Sequence, residues 1–312
     1  MTPRAYSLLH DDALVVRANA GLEPLVAPWL PLHAAPTNAT RGDGALIEVV
    51  TSAGSDEQSG DAPLLQLDAV RAFAHDEAVA LRGVSSVRGA VALDARRATI
   101  RVPVPGDPRA TGDVYSMLTL AAAFLLGRLG GALVHAGGVV DPDGRAWLLV
   151  GDTHAGKTTT CVSLVAAGWR YLADDQVVLR FSDAGDVEVE GWPRRAHLDE
   201  GWSDGIVTRT RGVVDLRARW GDRWMARAPL GGVLLPTVRA EEPTRVAAVD
   251  GATAFTALVR QSPWLLADRG TAAAVMPLLR AAASLNPRAL VLGHDSYARG
   301  AVLAERLGTV VG

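Results

Sequence analysis

Cysteine is almost missing from this chain: Cys161 is the one thiol among 312 residues. That excludes an internal disulfide framework and any zinc site built on two thiolates, and it fits a reducing compartment. Cys161 lies in an apolar helical run, where packing is its expected role. An excess of either charge is missing as well. With 31 Lys and Arg against 34 Asp and Glu the net charge is −3, so neither a basic nucleic-acid surface nor an acidic disordered tail is signalled, while small charged partners stay open. The first residues lack a basic patch followed by an apolar stretch, so no secretory signal and a cytoplasmic location are expected. Long apolar runs are lacking too. The most apolar helical segment, Met117 to Leu126 and on to about Leu129, is short of the roughly 20 residues that span a bilayer and reads as a buried helix. No membrane partner is expected, and no repeat of fixed period occurs.

What is present is enough apolar surface for a large core, since 49% of the residues are hydrophobic and a chain of this length buries roughly three-quarters of its unfolded surface. The chain reads as two regions, 1–112 and 113–312. In the first, Tyr6 to Leu9 and Ala13 to Ala18 flank a turn-like His10-Asp11-Asp12 and suggest a hairpin. Prolines at 24, 28, 31 and 36 make 22–40 irregular. After a strand at Leu46 to Val50 comes a polar loop, Thr51 to Asp61. Short apolar runs at 64–67, 70–73, 78–82, 89–93 and 99–102 then form a meander, with Asp94 to Arg97 turning one hairpin. Pro103, Pro105 and Pro108 end the series and place a domain edge near Gly106 to Gly112. His10, His33 and His75 are isolated, and no catalytic constellation is visible in this region.

From Asp113 the pattern becomes α/β. Tyr115 to Leu129 reads as a helix, and Leu133 to Val140 as a strand carrying His135, closed by the turn Asp141-Pro142-Asp143-Gly144. Ala146 to Val150 reads as a strand buried on both faces. There follows Gly151-Asp152-Thr153-His154-Ala155-Gly156-Lys157-Thr158, which fits G-x-x-x-x-G-K-[ST], and then a helix over 158–167 with Gly168 as its C-terminal cap. Strand, loop and helix together make a phosphate-binding loop the expected reading, with Gly151 through Thr158 and the adjoining Thr159 as the nucleotide-binding stretch. A helix N-terminus offers unpaired N–H groups and a partial positive charge. Gly151 and Gly156 let the backbone approach phosphate oxygens, Lys157 neutralises the outer phosphates, and the Thr158 hydroxyl is placed for magnesium.

Downstream, Trp169 to Leu179 holds two apolar runs interrupted by Asp174-Asp175. Burying an unpaired carboxylate is costly unless a cation or a hydroxyl donor meets it, so the pair reads either as part of a phosphate site or as a turn between two strands. Pro193-Arg194-Arg195-Ala196-His197-Leu198-Asp199-Glu200 carries cations, a histidine and carboxylates, and reads equally as a ligand-facing segment or a solvated connection. Strands at 187–192, 213–219, 230–238 and 289–292 and helices at 253–258, 271–284 and 298–307 complete a layered α/β region.

With Lys157 and Asp174-Asp175 placed, the stretch from His135 to Val178 resembles the catalytic domain of HPr kinase/phosphorylase, and more broadly the nucleotide fold of phosphoenolpyruvate carboxykinase. In that family a histidine-bearing strand, a turn, G-x-S-G-x-G-K-S and V-A-D-D follow at nearly this spacing. The resemblance implies an α/β, P-loop nucleotide-binding domain with a strand-rich N-terminal region, and an ATP- and magnesium-dependent kinase. Asp175 is then the base taking a serine proton, Asp174 supports the metal or shares that task, His135 is the active-site histidine, and Glu200 is a second magnesium ligand beside Thr158. The loop departs from the family at Thr153-His154-Ala155, the E-I-R-G-L-G motif around Glu200 is missing, and residues 1–112 do not resemble the family's N-terminal domain. An acceptor other than HPr is therefore expected, as in related kinases that phosphorylate serine in lasso-peptide precursors. The expected partners are a nucleotide and a peptide or small-protein acceptor. A small-metabolite kinase, a non-catalytic nucleotide-binding module of a peptide-modifying complex and self-association stay open.

Overall fold

A computed structural model describes residues 4–11, 13–37, 44–52, 62–75, 78–103, 107–194, 196–198, 212–214, 220–295 and 300–311. The chain is mixed α/β and forms two compact units, residues 1–132 with 263–275 and residues 133–262 with 276–312.

The first unit is built on nine strands, β1 (Arg4–Ser7), β2 (Leu14–Ala18), β3 (Ala35–Pro36), β4 (Ala45–Thr51), β5 (Leu65–Leu67), β6 (Val70–His75), β7 (Ala78–Arg82), β8 (Arg88–Ala92) and β9 (Arg97–Val102). They form one sheet in the order β3-β1-β2-β4-β9-β8-β7-β6-β5. β1 and β2 make the expected hairpin, with Tyr6 opposite Val16, and β5 to β9 make the expected antiparallel meander. β4 runs parallel to both β2 and β9. The irregular stretch holds the short α1 (Glu23–Val26). Residues 53–61 of the polar loop lie outside the described residues.

The unit's long helix, α2 (Pro108–Arg128), has 21 residues, so it starts seven residues before the expected Tyr115. Pro108 does not end structure. It occupies the first turn, where a missing N–H costs nothing, and the Asp107 carboxylate accepts the Arg109 N–H at 2.9 Å as N-cap. The stretch near Gly106 to Gly112, expected as a domain edge, therefore leads into this helix inside the first unit, which runs on to residue 132. By length and composition alone α2 is able to cross a membrane, and 83% of its most apolar window is buried. Its buried Asp113 is compensated by the Ser85 N–H at 2.7 Å and by the Ser85 hydroxyl.

The second unit also carries a nine-stranded sheet, in the order β10-β14-β15-β18-β12-β11-β13 with β20 beside β18 and β19 beside β20. Its strands are β10 (Ala132–Val134), β11 (Gly137–Val140), β12 (Ala146–Leu149), β13 (Arg170–Ala173), β14 (Val177–Phe181), β15 (Val187–Gly191), β18 (Arg227–Val238), β19 (Arg245–Ala248) and β20 (Arg288–Leu292). β16 (Ala196–Leu198) and β17 (Gly212–Val214) form a separate pair. The run expected as one strand from Leu133 to Val140 is two, β10 and β11, which occupy distant places in the sheet with His135 in the break. The strand expected over 213–219 is described only to Val214.

α3 (Lys157–Ala166) follows β12 and packs Cys161, Leu164 and Val165 into a core with Trp147, Tyr171 and Leu292. Gly137 makes that approach possible, because a Cβ there would lie 2.7 Å from Cys161 Sγ. Burial raises the Cys161 pKa, so the thiol is inert and its role is packing. α4 (Gly251–Arg260) is capped by Asp250, whose carboxylate accepts the Thr253 N–H at 2.7 Å.

Candidate functional site

Sheet direction brings the singled-out residues together. β11 is antiparallel to both β12 and β13, so the C-terminal ends of β12 and β13 and the N-terminal end of β11 share one edge. β12 leads there into residues 150–156, β13 into Asp174-Asp175, and His135 stands two residues before β11. β18 is parallel to β12 and ends on the same side. The aspartates do not close a hairpin, since β13 pairs with β11 while β14 pairs with β15.

The loop turns into the helix at Gly156, which has φ 97°, and a Cβ there would come within 2.6 Å of Leu292. Glycine is thus required twice over. His154 adopts φ 66° and is exposed. Asp152, also exposed, is tied down by its carboxylate, which accepts from Gln261 Nε2 at 3.0 Å and Arg260 Nη2 at 3.2 Å. The Gln261 carbonyl in turn accepts the His135 N–H at 3.0 Å. The end of α4 and the residue after it therefore hold both the loop and the histidine.

Lys157 is buried, and its ammonium donates to the carbonyls of Gly151 at 2.8 Å and Asp152 at 3.1 Å. Burial lowers its pKa, opposed first by the charge of Asp175 and further by those of Asp152 and Asp174. Thr158 and Thr159 are half-buried in the first turn of α3. Asp174 is 5% exposed and accepts from the Tyr171 hydroxyl at 2.9 Å. Burial, then the charge of Asp175, pushes its pKa up to about 7. Asp175 has a side chain 39% exposed, with one oxygen 3.1 Å from His135 Nδ1 and the other held by the Arg194 guanidinium, which is 7% exposed. The two neighbours thus differ: one carboxylate is buried and the other reaches partners at the edge.

Arg194, Arg260, Gln261 and Tyr171 were not assigned from sequence. Arg194 had a signal, its cationic segment after Pro193. Arg260 and Gln261 had none, being 108 and 109 residues from Asp152. Glu200, with Arg195 and Asp199, lies outside the described residues. Beside the loop is a cleft of about 390 Å³, lined by residues 150–155, by the end of β18 including Pro236, by Arg239 just after it, and by Ala257, Arg260 and Gln261.

The donors suit magnesium carried on phosphate oxygens. A hydroxyl at Thr158 and a carboxylate at Asp174 are hard oxygen ligands, and one or two of these are what that ion takes from a protein when phosphates supply others. Among the described residues the buried Asp174 carboxylate meets a hydroxyl and no ion-pair partner, so a divalent cation would offset its burial.

Neither a family model nor a curated protein matches this chain. Among solved structures, the Hpr(Ser) kinase/phosphatase from Coxiella burnetii matches 57% of this chain and 89% of its own, at 12% identity and a TM-score of 0.33. A likeness of that size carries no weight for the chemistry of either unit.

Proposed function

We propose that the second unit is a phosphotransferase that takes ATP with magnesium and passes the terminal phosphoryl group to a hydroxyl, that of a serine in a peptide or small protein. The observation that supports this reading is the meeting, at one sheet edge, of a buried lysine at a helix N-terminus with two carboxylates in different environments. The N–H groups of residues 153–158 and the Lys157 ammonium bind the phosphates, Lys157 exchanging its two loop carbonyls for phosphate oxygens. Magnesium, held by Thr158 and Asp174, would neutralise charge on the transferring group. The cleft beside the loop has room for the rest of the nucleotide.

Asp175, fixed by His135 and Arg194, accepts the hydroxyl proton as the acceptor oxygen bonds to phosphorus and the bond from phosphorus to the leaving diphosphate breaks. Most of the acceleration in such a site comes from positioning and electrostatics. A small-metabolite kinase would share the whole donor side and differ in the acceptor.

Two substitutions test the reading. Lys157→Ala should weaken ATP–magnesium binding by about tenfold or more in calorimetry with the fold intact by circular dichroism. Asp175→Asn should bind ATP normally, yet transfer labelled phosphate to serine peptides about 10²- to 10⁴-fold more slowly. Unchanged affinity in the first refutes the phosphate loop. Nucleotide binding by the wild type without transfer to peptide or metabolite leaves a binding module in place of a kinase.

A further inference from the structure

The phosphate loop carries an anion of its own. Asp152, its second residue, is exposed, and a carboxylate at that place repels the phosphates that such a loop binds. A cation stands against it. Arg260 Nη2 lies 3.2 Å from Asp152 Oδ2, while Gln261 Nε2 donates to Oδ1 at 3.0 Å. Asp152 is also the residue whose carbonyl accepts from the Lys157 ammonium at 3.1 Å. A lysine and an arginine are therefore bonded to one residue of the loop, the first at its backbone and the second at its side chain.

The arginine is held loosely. Its side chain is 68% exposed and that of Asp152 69%, and an ion pair in such a setting contributes little, since water screens the charges and two side chains must be ordered to make it. Asp152 keeps the Gln261 amide when the guanidinium leaves, and α4 need not move, because Arg260 is its last residue. Arg260 also lines the cleft beside the loop. Arg239, the other arginine of that cleft, donates to the adjoining Val238 carbonyl at 3.4 Å.

Sheet order gives Arg260 a side. β12, which leads into the loop, has β18 on one flank and β11, then β13, on the other. The end of β18 lines the cleft, whereas Asp175 follows β13. A nucleotide seated in the cleft thus has its diphosphate toward β18 and its acceptor toward Asp175.

We propose that Arg260 is a second phosphate-binding cation beside Lys157, which passes from Asp152 to the nucleotide and stabilises the diphosphate as it leaves. The inference rests on the phosphotransferase reading and gives it a residue on the leaving side. As the acceptor oxygen bonds to phosphorus and its proton goes to Asp175, the bond from phosphorus to the bridging oxygen breaks. Its electron pair stays on that oxygen, so negative charge grows on the diphosphate. A guanidinium fork meets phosphate oxygens two at a time, and its attraction strengthens as that charge develops.

The test uses the full-length protein, with calorimetry of ATP–magnesium and single-turnover transfer of labelled phosphate from it to serine peptides or to water. Arg260→Gln should slow transfer by about 10²-fold and weaken ATP by no more than about tenfold. Asp152→Asn removes the anion that competes for Arg260 and should tighten ATP about threefold. An arginine that merely clamped the loop would give another pattern, with both substitutions weakening ATP alike. That pattern, or wild-type transfer by Arg260→Gln, would overturn the proposal while leaving the phosphotransferase reading in place. A wild type that binds no ATP, or transfers nothing from it, fails that reading itself, and the role of Arg260 falls with it.

Discussion

Arg194 offers the sharpest separation of chemistry from stability. Burial holds its pKa at about 10 against the ordinary 12.5, which corresponds to a cost of about 3 kcal/mol for keeping that charge out of water. The pair with Asp175 opposes this cost, but Asp175 is 39% exposed, so solvent screens part of the attraction. Arg194→Met keeps a long side chain, relieves the buried charge and leaves Asp175 able to take water in place of the guanidinium. The two effects largely cancel, and stability in urea should change by no more than about 1–2 kcal/mol. The carboxylate, however, loses one of its two anchors. A displacement near 1 Å at a reacting group costs on the order of a hundredfold in rate, so kcat for phosphoryl transfer should fall about ten- to hundredfold while the KM for ATP stays near the wild-type value. Equilibrium unfolding and single-turnover transfer decide the matter together. A loss of 4 kcal/mol or more, with activity falling only as the folded fraction falls, would show that Arg194 is structural; an unchanged kcat would show that it does not position Asp175.

Asp174 gives a pH dependence of defined sign. Its folded pKa, about 7, lies above the ordinary 3.8, so the folded form binds the proton more tightly and the stabilising contribution is present below about pH 4 and lost as pH rises through 7, up to about 4 kcal/mol in the nucleotide-free protein. Asp174→Asn should flatten that part of the denaturation profile and be the more stable form at pH 8; parallel profiles for the two proteins would rule out an ionising buried carboxylate. His154 holds a left-handed conformation that disfavours residues with a Cβ, so His154→Gly should raise stability by about 1 kcal/mol and the thermal midpoint by about 2–4 °C. An unchanged or lower midpoint would mean that side-chain contacts of His154 outweigh the backbone strain.

The parts of the site that were legible in the sequence are those whose chemistry is local. A glycine with positive φ, a lysine after it and a hydroxyl next along are contiguous because one strand-to-helix turn must supply them all, and the meander of the first unit shows for the same reason, each turn joining neighbours. Breaks inside apolar runs were not legible. Leu133 to Val140 is apolar throughout except for His135, and periodicity has nothing to mark where β10 leaves the sheet and β11 enters it elsewhere. The start of α2 was misplaced because Pro108 has two meanings, a stop after a strand and a favourable first residue of a helix. The capping carboxylate of Asp107 selects the second, and its role is visible once the backbone is known.

What no local pattern carries is the tie between the pieces. Lys157, Asp174 and Asp175 stand on segments that the sheet sets side by side, but sheet order alone fixes neither the loop nor the histidine to better than a strand spacing. Gln261 supplies that accuracy by acting in two directions, its side chain donating to Asp152 of the loop and its carbonyl accepting from His135. Arg260 adds a second donor to Asp152, but from a side chain that is 68% exposed, so the amide contributes the better-shielded constraint. His135 then reaches Asp175, and Arg194 fixes the other oxygen of that carboxylate. The loop and Asp175 are thus referred to a common point at the end of α4. The spacing that the proposed phosphoryl transfer would demand therefore rests on hydrogen bonds between elements far apart in sequence.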